Sequence, residues 1–415
     1  MLVNHSNKHH VNAAMGAMLS LSALGGMIST GLLGPFRMSF AQEYRLTQGQ
    51  LGHGIAVIAI IFGTLGTWLG PVLADRIGRY ALLKFSVGLM TVGLAGCFFW
   101  SNLYVLMAFW GLFTLGAFLS IMVNAVATDL WHERPRRGVI LLQSMNSLGK
   151  IVGPSAAAFL IVLMAAAAWH PWQAFFLFAG IASLAVFTFL LFIPQDKVYQ
   201  PREQHSYEEG QASQPLGMWM SAMLLGMIAG SENALATIAP AFYSRVRHLP
   251  PQRAAELLTM HVIALTAGRF TFGFFGQRLG PRTIAALGLL PTLLIIPAIC
   301  SGSRMVYSMS FILLGLCFSA AWPLIFSHMA GSFAANRSRM TMAVGLMNAI
   351  GIALGLFVTS EVFDRRPNTA MLYGPALLAV CVVGFIASQT DLARRLSEHF
   401  LSPREADEAA IPPHP

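Results

Sequence analysis

Residues Gln195 to Pro215 read QDKVYQPREQHSYEEGQASQP, a charged, proline-punctuated run in the middle of an otherwise apolar chain. A run of this kind marks a solvated linker, and it divides the 415 residues into two halves. Outward from it, the sequence returns at once to apolar stretches. Of the whole chain 56% is hydrophobic and only 10% charged, where soluble domains carry about a quarter charged residues. A mean hydropathy of +0.63 leaves the lipid bilayer as the solvent for most of the chain.

Because roughly 20 apolar residues cross about 30 Å of hydrocarbon, each half has room for six spans. In the N-terminal half they run from Ala14 to Phe40, Gln48 to Leu73, Ala81 to Trp100, Leu103 to Ala127, Val139 to Ala168 and Trp172 to Ile193. In the C-terminal half they run from Leu216 to Tyr243, Ala254 to Gly276, Thr283 to Ser301, Met305 to Ala330, Met340 to Phe363 and Thr369 to Ser388. The expected organisation is a tail (1–13), a six-helix bundle (14–193), a linker (194–216), a second six-helix bundle (217–388) and a polar tail (389–415). No length is left for a soluble catalytic domain. The N-terminus, with Lys8, His5, His9 and His10 before a long apolar stretch, reads as a tail and not as a cleaved signal peptide.

The net charge of +9 does not mark a nucleic-acid binder, because the basic residues come in small groups between spans and form no stripe. They set topology instead. With both termini cytoplasmic, sixteen basic residues fall on the inner side and eight, among them Arg37, Arg365 and Arg366, on the outer side. This bias fits the twelve-span register and an integral protein of the plasma membrane, in bacteria the inner membrane. Two of the 26 basic residues, Lys150 and Arg269, lie within spans. Cys97, Cys300, Cys317 and Cys381 fall in apolar runs without metal-ligand spacing, so no metal or other cofactor is expected.

The halves repeat at an offset of 202 residues. Met145-Asn146-Ser147-Leu148-Gly149 with Gly153 matches Met347-Asn348-Ala349-Ile350-Gly351 with Gly355, and Asp75-Arg76-Ile77-Gly78-Arg79 lies opposite Gln277-Arg278-Leu279-Gly280-Pro281-Arg282. An even number of spans per half makes these parallel repeats about a pseudo-two-fold axis along the membrane normal, with a site expected where the bundles meet.

The run Gly70-Pro71-Val72-Leu73-Ala74-Asp75-Arg76-Ile77-Gly78-Arg79 resembles the loop two-three signature of the major facilitator superfamily. Within it, Asn124, the stretch Arg136 to Pro154, Gly230-Ser231-Glu232, Gly268-Arg269-Phe270-Thr271 and Trp322-Pro323-Leu324-Ile325-Phe326-Ser327 resemble words of the fucose-galactose-glucose:proton symporters, the fucose permease type. The resemblance implies an all-α fold of twelve transmembrane helices. It also implies that Gly70, Asp75, Arg76, Gly78 and Arg79 bias a gate and that spans five and eight face each other across the bundles. The family's coupling acids in spans one and four are replaced by Gly31 and Ser120, so its proton site does not carry over.

Lys150 lies twelve residues into span five and Arg269 nine residues before Arg278, depths of about 18 Å and about 13 Å from the same side. Glu232, fifteen residues beyond Gly217, lies about 22 Å along span seven, a little nearer the outside. A charge at the bilayer centre costs at least roughly 2.5–3.5 kcal/mol. The counterpart of Lys150 in span eleven is Ile352, so the scaffold itself accepts an apolar residue there. Gln143, Asn146 and Ser147 share a face with Lys150.

Two readings follow. Either Lys150 and Arg269 neutralise an anionic substrate, helped by Asn146, Gln143 and Trp322, with Glu232 as the proton carrier, or the three charges form a buried ion-pair network. The expected activity is that of a secondary active permease, a monomer moving a sugar, sugar acid or organic anion by alternating access with proton symport. Efflux of amphipathic compounds and ligand sensing without transport are the alternatives. No Gly-x-Ser-x-Gly elbow, His-Glu-x-x-His helix, phosphate loop or dinucleotide fingerprint points to an enzyme.

Overall fold

Hydrocarbon offers no partner to a backbone N–H or C=O, so a chain this apolar satisfies its backbone within helices. The computed structural model describes residues 5–32, 34–124, 126, 135–164, 170–193, 215–275, 290–332 and 337–388. The linker, the C-terminal tail and the loop after span eight lie outside them. The described residues are helical throughout their regular structure, with no strand among them.

Each expected span contains a helix. In the first half these are His5–Gly31, Gln48–Ile77, Arg79–Phe99, Leu103–Leu119, Pro135–Leu163 and Pro171–Leu191; in the second, Pro215–Arg245, Pro251–Phe275, Leu290–Cys300, Arg304–Ser332, Arg337–Arg365 and Tyr373–Ser388. Eight of the helices among the described residues are long and apolar enough to cross a bilayer. Large apolar side chains such as Ile61, Trp68, Phe99, Phe159 and Val380 are exposed on the outside, as lipid-facing residues must be.

Several helix bounds shift from expectation, and in spans one and two the shift changes the path of the chain. Span one does not run unbroken to Phe40. Its helix ends at Gly31 and a short helix, Arg37–Glu43, follows, because Gly34-Pro35 removes a backbone donor and disfavours helical geometry before it. Span two runs past Leu73 to Ile77, and a single residue, Gly78, separates it from span three. Gly78 has φ 87°, which a residue with a side chain adopts only under strain.

The repeat is visible in the packing. An added Cβ on Gly149 would strike Ala23 O, and one on Gly153 would strike Met27 O; on Gly351 it would strike Gly226 O, and on Gly355 it would lie 2.6 Å from Gly230 O. Spans one and five therefore pack with the same small-residue contacts as spans seven and eleven. Gly149 to Gly351 and Gly153 to Gly355 are 202 residues, and Ala23 to Gly226 and Met27 to Gly230 are 203. Close backbone approach of this kind takes the place of a hydrophobic driving force between helices in lipid. The buried apolar residues fall into two main clusters, one drawn from residues 14 to 193 with Leu356, the other from 218 to 382.

The halves meet along two helix pairs, span two with span eleven and span five with span eight. At one end of the first pair a polar latch crosses between them. Arg37 is buried and donates through Nε to Gln48 Oε1 (2.6 Å), and through Nη2 to Gln48 O and Ser360 Oγ (both 2.7 Å). Asp364 accepts from the N–H groups of Gln48 (3.1 Å) and Gly49 (2.5 Å). A carboxylate from span eleven thus caps the positive N-terminal end of span two. Beside it His53 stacks on Phe357 with ring centroids 4.2 Å apart and lies 3.2 Å from Glu361 Oε2.

Candidate functional site

The second helix pair carries the midplane charges. Span five presents Ser147 and Lys150 one turn apart, the spacing that puts side chains on one helix face. Span seven presents Glu232 and span eight Arg269. Lys150 Nζ donates to Glu232 Oε1. Arg269 Nη2 donates to the same carboxylate, 3.1 Å from Oε2 and 3.4 Å from Oε1. Arg269 Nη1 donates to Ser147 Oγ at 2.6 Å. Ser147 is also held by its neighbours: its hydroxyl donates to Gln143 O (2.9 Å) and its carbonyl accepts from Thr266 Oγ1 (3.2 Å).

One acid is therefore gripped by two bases, one from each bundle. The three residues are 8%, 6% and 5% exposed for Lys150, Glu232 and Arg269. With the acid ionised the cluster carries a formal charge of +1. Buried charge pairs survive only when partners are close and hydrogen-bonded. The cluster meets that condition with one exception: the Nε–H of Arg269 is buried and without a partner.

The equivalent positions of the repeat show that the scaffold does not need these charges. At the offset of 202, Lys150 corresponds to Ile352 and Arg269 to Thr67, and at the 203 that relates spans one and seven Glu232 corresponds to Ser29. Thr67 packs against Gly345, 2.7 Å from the position of an added Cβ, where the first and second halves meet in the other helix pair. At these equivalent positions the first pair is neutral, although the latch at one end carries charges, while the second brings three ionisable groups together; ionisable groups inside a membrane are functional by default.

Among the residues that the sequence singles out, Lys150, Arg269 and Glu232 come together. Their charged ends meet at one carboxylate, whatever the depths of the backbones that carry them. Asn146 turns toward span one, where its Nδ2 donates to Ser22 O at 3.1 Å. Gln143 is half-buried two turns before Lys150 and contributes its carbonyl to Ser147. Trp322 is buried in the core of the second half, stacked on Phe326 with centroids 5.1 Å apart.

Gly70 is buried within span two, while Asp75 and Arg76 are exposed in its last turn, followed by Gly78 and Arg79 at the start of span three. His261 faces span ten, with Nδ1 2.8 Å from Phe311 O and its ring stacked on Phe311. Sequence reasoning missed Thr266, which no pattern distinguishes from a helix-packing threonine. It also missed the burial of Arg37, which reads as a loop cation.

Two repeated helical bundles thus meet at a buried cluster of charges. The Major Facilitator Superfamily profile matches residues 14–355, and the chain belongs to that superfamily, whose members are transporters and not enzymes. The niacin transporter of Acinetobacter baylyi is 26% identical over 187 residues, 44% of this chain and 41% of that protein. The chain thus spans less than half the length of this curated relative. An uncharacterized MFS-type transporter of Bacillus subtilis is 22% identical over 412 residues, 93% of this chain and 97% of that one. The crystal structure of the E. coli fucose:proton symporter superposes with a TM-score of 0.63 at 17% identity, over 91% of this chain and 98% of that one. At that identity the likeness shows the shared fold.

Proposed function

We propose that this protein is a proton-coupled permease of the bacterial inner membrane, with both termini cytoplasmic, that moves a small sugar-like or anionic solute by alternating access. Lys150, Arg269 and the polar face of Gln143 and Asn146 take part in solute binding, Glu232 carries the proton, and the Gly70–Arg79 segment biases the cytoplasmic gate. The observation that supports this reading is the sharing of one buried carboxylate by bases from both bundles.

The chemistry follows from that sharing. When Glu232 is ionised it ties span seven and span eight to span five, and both bases are occupied. When it takes a proton, Lys150 and Arg269 lose their counter-ion in a site of low dielectric, and an anionic or strongly hydrogen-bonding solute becomes the better partner. Proton binding therefore raises solute affinity, and by linkage solute binding raises proton affinity by the same factor. The fully loaded and the empty site are each self-consistent, while a singly loaded site is not, and this asymmetry couples the two flows.

The niacin transporter and the fucose:proton symporter, as relatives in sequence and in fold, lend support to a small polar solute and to proton coupling. The polar latch at Arg37 and Asp364 supplies the second requirement, a contact between bundles at the outer end that must open when the inner end closes. Efflux of cationic amphiphiles is disfavoured, because the site carries a net positive charge.

Reconstitution into liposomes tests the proposal. Sugars, sugar acids and carboxylic acids are offered under an inward proton gradient. A transported solute accumulates, and a protonophore collapses the accumulation; accumulation indifferent to the protonophore refutes proton coupling.

A further inference from the structure

We infer that the site is built for a carboxylate, gripped side-on by the Nε–H and Nη2–H of Arg269, and that Ser147 is the residue that sets the guanidinium for that grip. The inference rests on the transport reading above and narrows its substrate class.

The guanidinium carries five N–H donors in a fixed plane. In this structure Nη1 is spent on Ser147 Oγ at 2.6 Å, and Nη2 is shared between the two oxygens of Glu232 at 3.1 and 3.4 Å. The remaining Nε–H has no partner, although Arg269 is 5% exposed. Nε and Nη2 lie on one edge of the plane, the edge that a carboxylate grips with both oxygens in parallel bonds. Glu232 does not take that grip, because its Oε1 is drawn to Lys150 on the other side. The edge is thus half used, and a buried donor without an acceptor is costly enough that native proteins seldom tolerate one.

A solute carboxylate supplies what Glu232 cannot. When the glutamic acid is protonated, the solute places one oxygen on Nε and the other on Nη2, and Lys150 stands across the cluster as a second charge. A carboxamide offers one acceptor oxygen and a donor that meets an N–H, so it satisfies half the edge at best. A hydroxyl offers one acceptor. The arrangement therefore discriminates by shape as well as by charge.

Ser147 acts through Arg269. Its hydroxyl accepts from Nη1 and donates to Gln143 O, and its carbonyl is held by Thr266. These bonds fix the roll of the guanidinium about its long axis and keep the Nε/Nη2 edge facing the cluster. The positioning residue belongs to span five and the arginine to span eight, so the grip is assembled only while the two bundles are in contact at this level.

The test uses the full-length protein in liposomes, with counterflow of matched acid and amide pairs: nicotinate against nicotinamide, glucuronate against glucuronamide, and lactate against lactamide. Neutral sugars are included as probes of carboxylate-independent transport. For the wild type the acid of at least one pair outcompetes its amide by about tenfold or more. Arg269→Lys keeps the charge and loses the fork, so its acid-to-amide ratio falls toward one. Ser147→Ala lowers that ratio by slowing the acid more than any neutral substrate, and Ser147→Thr restores it.

Wild-type ratios near one in every pair, or an Arg269→Lys variant that keeps the wild-type ratio, overturn the inference. So does a Ser147→Ala variant that slows acid and neutral solutes equally. If neutral sugars exchange in the wild type without any carboxylate preference, the inference fails while the transport reading stands. If no probe exchanges at all, the transport reading itself fails, and the inference with it.

Discussion

Replacing Glu232 by glutamine keeps the shape of the side chain and removes the one negative charge that holds two buried bases. Lys150 and Arg269 each bond to its carboxylate, and each is less than a tenth exposed. Removing one partner of a buried ion pair costs about 3–5 kcal/mol. Two cations that share one carboxylate sit on the order of 5 Å apart, and at an effective dielectric constant of about 20 their bare repulsion is about 3 kcal/mol. These two figures describe the same loss from different sides and do not add, so Glu232→Gln is expected to destabilise the protein by about 3–5 kcal/mol. Denaturant unfolding in detergent micelles measures it.

The control is Lys150→Met with Glu232→Gln, which removes the repulsion. This double variant is expected to recover a large part of the loss, and millimolar acetate is expected to stabilise Glu232→Gln more than the wild type, since a carboxylate then refills the gap. A single variant as stable as the wild type, or a double variant that loses the sum of the two single effects, refutes the shared-carboxylate account.

Other outcomes are equally direct. Lys150→Gln and Arg269→Gln are expected to slow counterflow of an acidic solute far more than that of its neutral analogue; equal losses for both would show that the bases only hold the fold. At the latch, a Cβ on Gly52 would press on Ser360 and lie 3.1 Å from Arg37 Nη2, so Gly52→Val props that end open. Electron–electron distance measurements between labels at Gln50 and Arg365 should lengthen, and an unchanged distance would remove the latch from gating. Gly351→Val would strike Gly226 O where spans seven and eleven touch backbone to backbone. Loss of the monodisperse peak on size exclusion is expected, and a variant that runs like the wild type would show that the two helices do not depend on that approach.

The positions of the spans were legible because hydrocarbon imposes one rule on every residue inside it, and a run of twenty apolar residues has few other uses. The repeat was legible for the same reason at Gly149, Gly153, Gly351 and Gly355, where only a missing side chain lets helices approach so closely. Lys150, Glu232 and Arg269 stood out because their cost in lipid is high. What could not be read was their pairing. Whether two bases flank an empty cavity or clasp one acid depends on where long, flexible stems end, and the helical rise fixes only where they begin. The structure shows the ion-pair cluster that one reading describes, and it leaves the Nε–H of Arg269 without a partner and one positive charge in excess.

Asn146 illustrates the other limit. Its place on the polar face of span five made it a candidate for solute binding or for bridging helices, and the pattern does not show that its Nδ2 donates to Ser22 O. Arg37 shows the reverse. Counted among the outer loop cations, it is buried against Gln48 and Ser360, because a break at Gly34-Pro35 folds the following residues back between the two halves. Neither outcome is written in composition or periodicity; both follow from which polar group reaches a partner without water.

The measurement that bears most directly on this account is pH-driven accumulation of a transported solute in liposomes carrying wild type or Glu232→Gln, with Lys150→Met/Glu232→Gln as a second, better-balanced variant. The wild type should concentrate solute against its gradient when the outside is acid. Both variants should exchange labelled for unlabelled solute, the double variant more slowly for want of Lys150, yet fail to concentrate it. Accumulation by either variant equal to that of the wild type would contradict the assignment of the proton to Glu232.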